Sequence, residues 1–474
     1  MTKLTSAWNP YRLAASTLSA REGHTLRPLN KGFLLPETTS KMGKYTILDE
    51  NVDAAIEGHL SVIKKVLIEE ARPISIILFG GFGKGEGSVE IVDGKITPFN
   101  DYDLYLVTRK KLSDKLLDEL TVKTSRAINK GGLEFAEHPD RGYNTTDFFH
   151  VDIRNILEDR LSRLNRTQRT FELKYGSQVI WGDESVIERI PAIGKNELPL
   201  SEGIRNLFNK IHTLLLCMDP NKLAYKELDT DERKIIMFYT AKAYLSISEA
   251  LLISCGRFEA TYSKRVEAFQ EIYETEFPRL HKLLPDLKEK VKWARDFKVK
   301  LDFHQVGDPF RLWFKARDDI GIAFKYLIKT HLGLKSDDWE GISAAIYNRL
   351  PFYYFNSYLT DMLRQHRLPG CISKVLFPTQ YYLNVLYTYR LWKKGKLVFS
   401  PLLSWRDVGL RLAIPMILYL FSMEDRGTLN QKLVEVSRYY FGKTVPQKEV
   451  SADPLELRIQ ILDLYGAYCT QRLV

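Results

Sequence analysis

Cysteine is scarce in this chain: Cys217, Cys255, Cys371 and Cys469 are the four among 474 residues, and no Cys-x-x-Cys pair occurs. That argues against a thiolate zinc site and a disulfide framework, and it fits a reducing compartment. Long apolar runs are lacking as well. The most apolar stretch, Gly409 to Ser422, carries Arg411 and Pro415 and is too short to span a bilayer. It reads as a buried helix, so no transmembrane segment is expected. The opening Met1-Thr2-Lys3-Leu4-Thr5 has no apolar core of the secretory kind, which makes a cytoplasmic location the expectation. No low-complexity tract and no fixed-period repeat is present, so a solenoid drops out.

What is present has the composition of a soluble globular protein, 45% hydrophobic and 27% charged, long enough for two or three domains. The formal charge of +10 favours a polyanionic partner, whether nucleotide, nucleic acid or acidic lipid surface, although the excess is moderate and diffuse.

Local signals divide the chain. Residues 1–44 carry scattered Pro, Gly, Ser and Thr and read as an N-terminal extension. Apolar residues at helical spacing from Leu48 to Ala71 predict a helix that Pro73 closes. A strand follows over Ile74–Phe79, then a hairpin over Val89–Thr97 whose Asp93-Gly94 supplies the positive φ angles of a tight turn. Residues 113–130 predict a helix capped by Ser113 and stopped by Gly131-Gly132. Strands are expected at 133–136, 147–153 and 178–183.

After a Pro- and Gly-bearing linker at 191–199 the pattern is almost wholly helical. Helices are expected over 201–217, 231–254, 261–276, 286–297, 308–331, 338–349, 352–364, 373–393, 405–423, 427–440 and 455–470. Pro415 should kink the helix that contains it. The fold class is therefore α+β: a small mixed-sheet domain over 45–195, then a large helical region over 200–474, where breakers near 333–371 leave room for a division into two bundles.

The chemistry is concentrated in Gly80-Gly81-Phe82-Gly83-Lys84-Gly85-Glu86-Gly87, at the end of an apolar strand, and in Asp101-Tyr102-Asp103, at the start of another. Residues two apart on a strand share a face, so Asp101 and Asp103 point one way while Tyr102, Leu104 and Leu106 point into a core. Two such carboxylates in a partly buried site call for a cation, and magnesium takes oxygen ligands of this kind together with substrate phosphates. Asp152, on a later strand, adds a third carboxylate, and three suit two metal ions, Mg2+ first and Mn2+ as the substitute. Gly80-Gly81 permits close backbone approach to phosphates, and Lys84 is the expected side-chain cation for them. Gly85 in place of Ser or Thr after Gly83-Lys84 excludes a Walker P-loop, and no register matches G-x-G-x-x-G.

Apolar-Gly-Gly, then Asp-x-Asp between apolar residues, then a lone Asp in a strand resembles the DNA polymerase β-like nucleotidyltransferase superfamily. Gly80-Gly81-Phe82-Gly83-Lys84-Gly85-Glu86 is similar to the Gly-Gly-Tyr-Gly-Arg-Gly-Glu of the glutamine-synthetase adenylyltransferases and signal-protein uridylyltransferases. The layout, with Val179-Ile180-Trp181-Gly182-Asp183 ahead of a helical bundle, is similar to that of antibiotic nucleotidyltransferases. The resemblance covers about residues 48–190 and departs in the longer gap between Gly81 and Asp101. It implies that Gly80 and Gly81 hold the triphosphate, that Asp101 and Asp103 bind both magnesium ions, and that Asp152 completes the metal site and deprotonates the acceptor hydroxyl.

The function expected is a metal-dependent nucleotidyltransferase. It would move an NMP from an NTP, ATP first, to a hydroxyl on a protein or small molecule and release pyrophosphate. The alternatives are an enzyme that extends RNA or makes cyclic or oligomeric nucleotides, and a nucleotide-binding regulatory or toxin–antitoxin-like protein with little turnover. The basic cluster Arg390, Lys393, Lys394 and Lys396, with Tyr387, Tyr389 and Trp392 nearby, reads first as a solvated helix end, with nucleic acid or acidic lipid as its other reading.

Overall fold

The computed structural model describes residues 43–99, 101–130, 150–303, 307–348, 389, 392–393, 408–446 and 449–472. Residues 42–474 form one compact unit, and residues 1–41 form a separate one that lies outside the described residues. The class is α+β, with a small mixed sheet early in the chain and helices afterwards.

Helix α1 (Glu50–Ala71) begins where the Asp49 carboxylate accepts the amides of Asn51 and Val52, and ends at Arg72 in the left-handed region before Pro73. The sheet contains β1 (Ser75–Phe79), β4 (Asp101–Thr108), β5 (His150–Leu157) and β6 (Gln178–Gly182) in the order β5-β4-β1-β6. Only the β4–β5 pair is parallel. Between β1 and β4 lie a single helical turn, α2 (Gly80–Gly83), and the expected hairpin of β2 (Val89–Val92) and β3 (Lys95–Pro98). Asp93 and Gly94 hold φ of 50° and 77° at its tip.

One sheet face, with Ile76, Leu78, Tyr102, Leu104 and Leu106, packs under α1 and α3 (Asp114–Ala127). Helix α3 carries the expected Ser113 cap, which accepts the Leu116 amide, but it ends at Ala127, short of the glycines. On the other face, Ile77, Phe79, Tyr105, Val107 and Ile156 meet Leu173 of α4 (Gln168–Tyr175), a helix that periodicity did not predict. The alternation expected along 101–106 is present: Tyr102 and Leu104 are buried, and Asp101 and Asp103 are half-buried on the opposite face.

The helical region comprises α5 (Leu200–Cys217), α6 (Pro220–Tyr225), α7 (Thr230–Ser254), α8 (Tyr262–Glu276), α9 (Pro278–Leu283) and α10 (Leu287–Val299). It continues with α11 (Pro309–Leu332), α12 (Trp339–Asn348), α13 (Val408–Ser422), α14 (Gln431–Gly442) and α15 (Pro454–Arg472). These follow the expected spans within a few residues. The short α6 and α9 are additions, and each starts on a proline, which suits the first helical position. The helices expected over 352–364 and most of 373–393 lie outside the described residues, as do the strand at 133–136 and most of the basic cluster.

Helix α7 is the hub. It is buried on nearly every side from Ile235 to Ile253 and shares its core with α5, α8, α10 and α11. Its length and apolarity would let it cross a membrane, yet 94% of its most apolar window is buried inside the protein, as befits a core helix. Residues 411–420, the other apolar stretch, are likewise buried.

Sheet and helices are joined by side chains from the segment between β1 and β4. Phe99, just past the hairpin, packs in the helical core with its ring 4.9 Å from Phe238 and 5.8 Å from Phe303. Glu90 pairs with Lys234 of α7 at 2.6 Å, and Val89 bridges to Lys300 at the end of α10. The hairpin is thus a clamp on the helical region.

Candidate functional site

The carboxylates come together through strand register. Asp103 on β4 lies directly opposite Asp152 on β5, and Asp101 lies opposite His150. On the other side of β4, Phe79 pairs with Asp103, so the chain leaving β1 turns at the Asp103 carboxylate. Burial, with the neighbouring Asp101 and Asp152 charges, pushes the Asp103 carboxyl up to about 7. Asp152 behaves oppositely. Burial acts to raise it, but the Arg154 guanidinium, bonded to Oδ2 from Nε at 3.1 Å and Nη2 at 2.7 Å, holds it below the ordinary value.

Asp101 and Asp103 therefore suit one divalent cation shared with a phosphate ligand, because magnesium needs only one or two protein carboxylates of this kind. Asp152 stands beside them with one oxygen held by Arg154. Among the described residues no three acidic, histidine or cysteine side chains converge as a ready-made metal cage.

The glycine segment does not form an open nest. Gly80 (φ 67°) starts the α2 turn, in which the Lys84 amide donates to the carbonyls of Gly80 and Gly81, both at 3.2 Å. The amides of Gly80, Gly81 and Phe82 have no partners within the turn, as at the start of any helix. Glu86 is fully buried and accepts the amides of Tyr262 (2.6 Å) and Ser263 (2.7 Å), capping α8 and tying the loop to the helical region.

Lys84 is placed elsewhere than expected. It is buried, and its Nζ is 2.8 Å from Glu172 of α4. Glu172 also binds Arg265 of α8, which binds Glu249 of α7. Burial acts to raise Glu172, but the Arg265 and Lys84 charges bring it down to about 2. This network pins the glycine loop, α4, α7 and α8 together, and it occupies the cation that sequence reasoning assigned to the phosphates.

The cation beside the glycine turn is Lys298, from α10. Its Nζ is 3.2 Å from where a Cβ on Gly81 would stand, 3.3 Å from Ser88 Oγ and 4.3 Å from the centre of the Tyr262 ring. Burial, with Lys242 and Lys84 nearby, brings it down to about 7, against a pull upward from Glu86 and Asp101. Two further lysines reach the carboxylates. Lys242 of α7 is lowered by burial and interacts with Asp101 and Asp103. Lys210 of α5 is brought down to about 8 by burial and by Lys242, and it interacts with Asp101.

Three lysines whose ammonium groups are lowered by burial thus feel the charges of Asp101 and, for Lys242, Asp103. Sequence reading missed these lysines because each reads locally as a solvated helix position. The available signal was Lys242, the one cation between Ile235 and Ile253 of a helix buried on nearly every side.

No protein-family profile matches the chain, and no curated protein matches it by sequence. A search of solved structures finds a likeness to spectinomycin adenyltransferase AAD(9) from Enterococcus faecialis, described with ATP and spectinomycin. It is 13% identical, covers 56% of this chain and 98% of that one, and has a TM-score of 0.33. A likeness at that score carries no argument about this chain.

Proposed function

We propose that the protein is a nucleotidyltransferase that transfers an NMP from an NTP to an acceptor hydroxyl. The observation that supports this reading is the register that sets Asp152 opposite Asp103, with Asp101 on the same strand, beside a Gly80-Gly81 turn that Lys298 approaches, while the charges of Lys242 and Lys210 act on Asp101. The glycine turn and Lys298 would take the β- and γ-phosphates, and Lys242 and Lys210 would offset the remaining phosphate charge. Asp101 and Asp103 would hold magnesium, which when bound lowers the repulsion between these carboxylates and the phosphates.

The acceptor oxygen attacks the α-phosphorus as the bond to the bridging oxygen breaks, and pyrophosphate leaves towards Lys298. The hydroxyl proton passes to Asp152. A carboxylate held low by Arg154 is a weak base, so that transfer requires the Asp152–Arg154 pair to loosen. The same pair favours a second reading, a nucleotide-binding protein with little turnover.

The test is incubation with α-labelled NTPs and magnesium, alone and with lysate, while pyrophosphate is followed. Label on an acceptor that is lost in Asp103→Ala supports transfer, and retained turnover in both Asp101→Ala and Asp103→Ala would sink the site. Nucleotide binding without pyrophosphate release would favour the second reading.

A further inference from the structure

We propose, resting on the nucleotidyltransferase reading, that the acceptor carries a phosphate group, held beside its reacting hydroxyl by Arg169 and Arg154. Displacement at phosphorus places the attacking and leaving oxygens on opposite sides of the reacting atom. The glycine turn and Lys298 lie at the β1 end of the carboxylate row, so the acceptor must enter from the β5 end. The sheet order β5-β4-β1 puts Asp152 and Arg154 there, on the outermost strand among the described residues.

Two guanidinium groups stand at that end with donors unspent. Arg154 spends Nε and Nη2 on Asp152, whereas its Nη1 is buried and has no hydrogen-bond partner among the described residues. Arg169, in the first turn of α4, is half-buried and makes no hydrogen bond or ion pair with a described residue. It lies one turn before Leu173, on the α4 face that packs against Phe79 and Tyr105, and its charge acts on Asp103, Asp152 and Tyr105. A buried donor without a partner is costly, and a guanidinium fork matches the oxygens of a phosphate.

The carboxylates near this end offer little to a cationic acceptor. Asp103 and Asp101 face the lysines, Asp152 is held by Arg154, and Glu172 is spent on Lys84 and Arg265. An amine-bearing acceptor would meet the Arg169 guanidinium, which no described carboxylate pairs, whereas a phosphorylated one would neutralise it.

The experiment loads the full chain with magnesium and a non-hydrolysable ATP analogue. It then titrates ribose 5-phosphate, ribose and spectinomycin calorimetrically, as anionic, neutral and cationic probes. Ribose 5-phosphate should bind, and ribose and spectinomycin should bind at least about tenfold more weakly. Arg169→Gln should weaken ribose 5-phosphate about tenfold while the analogue's affinity changes far less, and Arg169→Lys should restore part of the loss. Equal binding of ribose and ribose 5-phosphate, or preferred binding of spectinomycin, would overturn the proposal. So would an Arg169→Gln protein that loses the analogue instead of the sugar phosphate. If Arg169→Gln does not fold, the contrast among the three probes on the wild-type protein decides. If the wild-type chain takes up no analogue, the nucleotidyltransferase reading fails at the loading step, and this inference falls with it.

Discussion

Gly80 lies directly against Asp103: a Cβ on the glycine would overlap the Asp103 Oδ2 atom, and the glycine's φ of 67° is one that side chains disfavour. The glycine turn and the carboxylate row are thus a single packed unit, positioned by the pairing of Phe79 with Asp103. Gly80→Ala should destabilise the protein by about 1–2 kcal/mol from the left-handed backbone alone. It should also displace the Asp103 carboxylate and weaken magnesium-dependent nucleotide binding. Thermal melting and calorimetry would read the two effects separately.

The lysine cluster makes its own prediction. Lys298→Met should weaken ATP binding by about tenfold or more, roughly 1.4 kcal/mol, with a smaller loss for AMP, because Lys298 stands at the turn assigned to the terminal phosphates. Lys242→Met should weaken both nucleotides, since Lys242 acts on Asp101 and Asp103 at the centre of the row. Equal ATP and AMP losses in Lys298→Met would move that lysine away from the terminal phosphates.

Binding should also depend on pH, with a sign set by those lysines. Lys298 and Lys210 are lowered to about 7 and about 8, so raising the pH from 6 to 9 removes their charges in the free protein. An anion bound beside them restores the charge, so binding takes up protons. ATP titrated without magnesium should therefore bind more weakly as pH rises, and proton uptake should shrink in Lys298→Met. Magnesium works in the opposite sense. Asp103 sits at about 7 in the free protein and must give up its proton to hold a cation, so magnesium-dependent binding should gain from rising pH.

Glu172 controls stability in acid. Its folded value of about 2 lies below the ordinary 4.5. Its contribution is thus fully present above about pH 4.5 and is lost as pH falls towards 2. Glu172→Gln leaves Lys84 and Arg265 buried without their shared partner and should cost about 3–5 kcal/mol at neutral pH. The variant's acid-unfolding curve should also flatten between pH 4.5 and 2 relative to the wild-type curve.

Phe99→Ala tests the clamp between sheet and helices. The ring is 9% exposed and meets Phe238 edge-on and Phe303 at a tilt, so its loss should cost about 3–5 kcal/mol. Hydrogen exchange should rise first in the β2–β3 hairpin and at the start of α8, which Glu86 caps.

By itself the sequence determined the α+β order, the longer described helices, the Asp93-Gly94 turn, and the shared face of Asp101 and Asp103. These follow from the period of apolar residues and from turn chemistry, both of which act over a few neighbouring positions. Tertiary structure decided which charges meet. Lys84 is adjacent to the glycines in the chain, yet the buried ion pair between α4 and α8 claims it, because a buried Glu172 needs counter-charges. Lys298, Lys242 and Lys210 come from three separate helices and converge on the carboxylates only once Glu86, Glu90 and Phe99 dock the sheet against the bundle. No periodicity carries that information: a lysine's local pattern is the same whether its ammonium ends in water or against Asp101.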